Sequence, residues 1–269
     1  MKVRTLNSKV GLCNICGISG LLTDDHVPPK GSVNVRKVKI QTLSQAIEPT
    51  SPGIHRLLQN GVKFRSLCSS CNNKRLGLKY DLCLNRFSKK VAQILRVRDR
   101  ISLPPYIDVE VRPQLLSRAV VGHLLAAEIR SRMADPLRSA PMLDTMREFF
   151  LDEAKDLTPE FRLYFWPYPA IRQTILRGVG VVSGGFTIVG DFLKYFPVAF
   201  WLTYQAPDTV TQRLVGREVP VHGSSIGDIR VIRIPTREKA TFRPDWPERP
   251  NEEEILVVSD GVCLVADEA

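Results

Sequence analysis

Two Cys-x-x-Cys pairs, Cys13/Cys16 and Cys68/Cys71, bracket an Asp25-His26 dipeptide, and Asn72-Asn73 follows the second pair at once. A Cys-x-x-Cys turn aims two thiolates at one cation, and four thiolates complete the tetrahedral set that Zn²⁺ prefers. Two such pairs point to a metal rather than a redox couple, which needs only one. Four protein sulfurs leave no open coordination position, so this zinc would be structural. His26 brings a different chemistry. A neutral imidazole, with an unperturbed pKa of ~6.5, can take a proton from water near neutral pH. Phosphodiester hydrolysis needs such an activated water, together with charge stabilisation by a hard divalent cation held through oxygen ligands. Taken singly, Asp25-His26 would read as a turn or cap pair and Asn72-Asn73 as a helix start. Their position between and beside the cysteine pairs shifts the balance toward function.

In order and spacing, CNIC at 13–16, DDHVPPK at 24–30 and LCSSCNNKRLG at 67–77 resemble the HNH (ββα-metal) endonuclease family. The family pattern is a Cys-x-x-Cys, then an Asp-His-x-x-Pro strand end, then a Leu-Cys-x-x-Cys followed directly by His or Asn. The likeness covers residues 13–81, about a quarter of the chain. It implies that Asp25 is a metal ligand, His26 the general base and Asn72 the second ligand of a catalytic Mg²⁺ or Mn²⁺. Asn73 takes that place if the helix begins one residue later. The middle Asn of the pattern, which braces the loop under the catalytic His, is matched by Asn60, with Asn34 as the alternative. The zinc would then set the distance between the two halves of the catalytic site. The resemblance implies hydrolysis of DNA, with RNA as a second polyanion, and analogy with other nuclease fusions suggests a prokaryotic defence or mobile-element nuclease, antiviral defence included. The alternative is a non-catalytic zinc-ribbon protein that binds nucleic acid and regulates. A third class is a scaffold whose C-terminal part recruits a partner.

Charge agrees with a polyanionic partner. Residues 1–110 hold 19 Lys and Arg against 7 Asp and Glu, whereas the remainder holds 19 against 21, so the whole net charge of +10 originates in the first part. A local basic excess of this kind favours nucleic acid over a merely soluble surface. Lys30, Lys63, Arg65, Lys74, Arg75 and Lys79 surround the motifs as candidate phosphate contacts. Arg86, Lys89, Lys90, Arg96, Arg98 and Arg100 extend the footprint. Such contacts would give salt-sensitive binding indifferent to sequence.

These residues need elements to position them. LNRFSKKVAQILRVRDRI (84–101) carries apolar residues at helical spacing with Lys and Arg between them, which predicts a basic amphipathic helix. Leu103 to Tyr106, with two prolines, stops it. Residues 31–62 read as a long insertion broken by Gly and Pro. Helices are expected from Pro113 to about Met133 and from Ala140 to Ala154. After Pro159, short β-branched and aromatic runs bounded by Gly and Pro predict a mostly antiparallel sheet. The expected architecture is α+β: a zinc-stabilised nuclease domain over 1–105, then an α+β domain of unknown role over 106–269. That second part is a place for an activating ligand or protein, and the chain is compatible with a homo-oligomer. The aromatic runs 161–169 and 196–204 read as sheet core. Cys83 and Cys263 read as small buried hydrophobes, His123 as a packed core histidine, His222 as a turn residue and His55 as surface loop. With no apolar run of membrane-spanning length and no leader-like N-terminus, a cytoplasmic protein is expected.

Overall fold

The computed structural model describes residues 5–47, 56–98, 100–128, 141–208, 217–236, 244–258 and 263–268. His55 lies outside them, as does the side chain of Cys263. The fold is α+β, as expected, with antiparallel pairing between all its named strands. None of the described helices is long and apolar enough to cross a membrane.

The first unit is a three-stranded sheet of β1 (Val10–Leu12), β2 (Ser19–His26) and β5 (Lys63–Cys68), in the order β1-β2-β5. The pairing of β2 with β5 shifts register between Thr23 and Asp24, so the strand end that carries Asp25 and His26 is re-aimed at a bulge. Directly after β5 the chain winds into a π-helical segment, Ser70–Tyr80, which runs on into α2 (Asp81–Val97). The expected basic helix is thus present and starts three residues earlier. Its apolar face, Leu84, Phe87, Val91, Ile94 and Leu95, is buried, and Arg86, Lys89, Lys90 and Arg96 are exposed.

Residues 31–62 do not stand apart as an insertion. They supply β3 (Val38–Thr42), the short α1 (Leu43–Ile47) and β4 (Arg56–Leu58), and β3 pairs with the last strand, β13 (Cys263–Glu268). Through β13 these strands join an eight-stranded sheet with β7 (Phe161–Pro167), β8 (Gln173–Ser183), β9 (Phe186–Tyr195), β10 (Val198–Tyr204) and β12 (Glu254–Val258). β6 (Tyr106–Val111) and β11 (Arg230–Pro235) form a separate two-stranded ribbon, with β6 against α2.

Both faces of the large sheet are covered, and side-chain alternation sorts the aromatic runs between them. Phe161, Leu163, Phe165, Phe200 and Leu202 face the helical layer, while Tyr164, Trp166, Ala199 and Trp201 pack on the other side with Trp246. Between the sheet and the small unit lies α3 (Pro113–Ala126), with Pro113 in its first turn and all of its residues buried. One apolar cluster runs from Cys13 and Ile15 through α2 and α3 to Leu264 and Ala266. The expected boundary near residue 105 therefore does not separate two cores. Helix α4 (Pro141–Leu151) packs on α3 where Gly122 lies. A Cβ at Gly122 would meet Phe150 Cε2 at 2.6 Å and Leu76 Cδ1 at 2.7 Å, so only glycine lets the three helical segments approach this closely.

Candidate functional site

The two cysteine pairs converge. The sulfurs of Cys13, Cys16, Cys68 and Cys71 all lie within 4.8 Å of one another, and those of Cys16 and Cys68 are 3.8 Å apart. Bonds of ~2.3 Å to one tetrahedral ion place sulfurs about 3.8 Å apart, whereas a disulfide would bring them to about 2 Å. The quartet can hold a metal such as zinc. Its geometry is set locally by the knuckle 13–18, where Gly17 donates its N–H to the Cys13 carbonyl and Cys13 its own to that of Ile18. Gly17 has φ 71°, a conformation in which a side chain would be strained. Cys13 and Cys71 are buried, and the other two are half-buried. The Cys71 thiol, hydrogen-bonded to Cys13, holds the Cys13 sulfur well below the usual thiol range, and its own pKa is raised in return.

The knuckle is fastened to the rest of the chain as well as to its partner pair. Asn14 donates from its amide to the carbonyls of Leu125 and Glu128 at the end of α3, and its own carbonyl accepts from Arg147 Nε of α4 at 2.7 Å. Ser66, on β5, donates to the Ala126 carbonyl at 2.6 Å.

At the end of β2, Asp25 is buried and His26 half-buried, as alternation on a strand requires. His26 Nε2 lies 3.2 Å from the Asn60 carbonyl. That oxygen can only accept, so Nε2 carries the proton and Nδ1 of the neutral ring is the acceptor. Burial, then the positive charge of Lys63, lowers the His26 pKa and keeps the ring neutral. Asn60 thus does touch the histidine, but through its main chain, with its side chain exposed. The alternative, Asn34, is exposed on the 30–37 loop and lines a cavity that His26 does not line.

Asn72, buried at the head of the π-helical segment, donates from Nδ2 to Thr23 Oγ1 at 2.9 Å and to the Asp24 carbonyl at 3.3 Å. Its amide therefore reaches the residue next to Asp25, with the nitrogen toward β2 and the oxygen on the other branch. Asn73 is exposed and bonds Ser69 instead. Of the two asparagines, Asn72 is the one brought to the strand end.

The residue missed from the sequence is His123. Its apolar setting on α3 reads as core packing, and it is fully buried. Yet Nδ1 lies 3.1 Å from Asp25 Oδ2 and Nε2 lies 2.9 Å from Asp81 Oδ1. Burial by itself would lower its pKa. The carboxylates on either side outweigh that and raise it to about 10, so the ring is an imidazolium bridging two acids. Burial pushes Asp25 upward, opposed by the charge of His123. Removing one partner of a buried ion pair typically costs about 3–5 kcal/mol. His123→Ala should accordingly lower the unfolding free energy by that amount in a urea titration. A loss below about 1 kcal/mol would show that the ring is not a charged partner.

The expected phosphate contacts divide. Arg65 is bound to Asp24 through both Nε and Nη2, Arg75 donates to the Leu151 carbonyl at 2.6 Å, and Lys79 is paired with Glu153. These three hold the fold together. Lys30, exposed, and Lys63, half-exposed, act on the His26 end, and Lys74 is exposed on the π-helical segment. No protein-family model, curated protein or solved structure matches this chain.

Proposed function

We propose that the chain is an HNH-type, metal-dependent endonuclease that hydrolyses phosphodiester bonds in DNA. The observation that carries this reading is the state of His26: its Nε2–H is engaged by the Asn60 carbonyl, which leaves a neutral Nδ1 to accept a proton, on a strand end flanked by Lys30 and Lys63. Asp25 and Asn72 would hold the catalytic ion. They fit it by donor chemistry, a carboxylate and an amide oxygen, which suits Mg²⁺ or Mn²⁺. When bound, such an ion supplies Lewis-acid stabilisation of the phosphate and of the departing oxygen. His26 takes the proton of the attacking water, the lysines counter the phosphate charge, and His123 fixes the Asp25 carboxylate. The thiol quartet ties β2, which carries His26, to the helix head that carries Asn72.

The test is plasmid nicking by the purified protein with added Mg²⁺ or Mn²⁺. Nicked circles that require the divalent ion support the reading, and an inert wild-type protein across both ions and both DNA and RNA overturns it. Because Asn60 acts through its carbonyl, Asn60→Ala should change the nicking rate by no more than about twofold, the scale of an exposed substitution. A loss of tenfold or more would assign a role to the side chain.

A second reading, a zinc-stabilised protein that binds nucleic acid without cutting it, draws on the engagement of Asp25 by His123. It predicts DNA binding with no divalent requirement and no nicked circles with either ion.

A further inference from the structure

Beside the His26 end lies a cavity of about 770 Å³. One wall is a stripe of α2, with Ser88, Lys89, Ala92, Gln93 and Arg96 spaced as one helix face. The second is the loop from Lys30 to Arg36. The third comes from two connections of the large sheet, where Ile171, between β7 and β8, is exposed and Phe196, between β9 and β10, is half-buried. Its charge is one-sided: Lys30, Lys89 and Arg96 are exposed cations, and the one carboxylate in the lining, Glu268, is already paired with Arg36. Lys30 lines the cavity and follows His26, the last residue of β2, by four positions, so the cavity opens on the chain that leaves that strand end.

Cations and an aromatic ring lining one cavity are the two halves of a single-strand binding surface, phosphates on the first and bases stacked on the second. Lys89 and Arg96 are seven residues apart on one helix, a rise of about 10 Å, enough to contact separate phosphates of one strand. A double helix, whose major groove alone is about 12 Å wide, is too broad to enter a space of this volume. We propose that this cavity receives a single-stranded segment of the nucleic-acid substrate, with Lys89 and Arg96 on its phosphates and Phe196 against a base. The assignment deepens the nuclease reading and rests on it for the cutting step alone. It directs the enzyme to flaps, gaps or loops, where a free strand can enter.

The experiment measures binding of a fluorescent twelve-residue oligothymidylate to the full zinc-loaded chain by anisotropy, without added Mg²⁺ or Mn²⁺. Wild type is compared with K89E/R96E and with R230E/R233E, a charge-matched control on β11. The groove variant should bind at least tenfold more weakly, and the control should stay within about twofold of wild type. K89A/R96A, which removes two phosphate contacts without reversing charge, should reduce the slope of log affinity against log salt by about 1.4. A twelve-base-pair duplex should bind more weakly than the single strand. Equal weakening in the groove and control variants, or tighter binding of the duplex, overturns the proposal. A wild type that never nicks but shows the full pattern removes the nuclease reading and keeps the groove. A protein that nicks, with K89E/R96E indistinguishable from wild type in binding and rate, does the reverse.

Discussion

His26→Ala should abolish Mg²⁺- or Mn²⁺-dependent nicking of plasmid DNA, a fall of about 10²–10⁴-fold for loss of the proton acceptor, while bound zinc and melting temperature stay at wild-type values. The prediction is sharp because His26 is placed where its loss touches little else. It is half-buried, and its hydrogen bond among the described residues is to an exposed loop carbonyl. Truncating it opens no large cavity and strands no buried charge, unlike the loss of His123, which bridges two acids. The two histidines therefore separate chemistry from architecture: removal of the first is expected to silence activity in a stable protein, and removal of the second to weaken the fold. Residual cutting near the wild-type rate in His26→Ala would mean that another group activates the water, and the role assigned to the imidazole would be lost.

Removing the metal from the thiol quartet should unfold the N-terminal unit. Structural zinc in small domains contributes on the order of 10 kcal/mol at neutral pH, comparable with the whole stability of an ordinary domain. Here the effect reaches further than the knuckle. The ion would join the turn after β1 to the helix head after β5, and Asn14 within that turn also holds the end of α3 and accepts from α4. We expect one zinc per chain by elemental analysis, loss of a cooperative thermal transition after chelation, and no soluble, zinc-bearing Cys71→Ser protein. Preparations shown to be free of metal that melt as the zinc-loaded ones do would remove the ion from the account of folding.

The roles of α3 and α4 also bear on truncation. A fragment ending near residue 105 would lack His123 and the carbonyls that hold Asn14 and Ser66, so it would carry the motifs without their support.

What the sequence by itself determined is what local chemistry and periodicity decide: the cysteine quartet, the amphipathic α2 with its exposed cations, the strands after Pro159 and the placement of Asp25 and His26 at a strand end. Ligand spacing within a turn and apolar spacing along a helix depend on neighbours a few residues away. Tertiary structure decided the rest, because its causes are distant in the chain. Asp25 and His123 are 98 residues apart, and nothing in VVGHLLA announces that its histidine will meet two carboxylates. β3 and β4 read as an insertion until β13, more than 200 residues later, supplies the edge that β3 pairs with, β4 adding to its other side. Arg65, Arg75 and Lys79 look like phosphate contacts until Asp24, the Leu151 carbonyl and Glu153 satisfy them from 41, 76 and 74 residues away. A charge in a sequence declares its sign, and only the fold declares its partner.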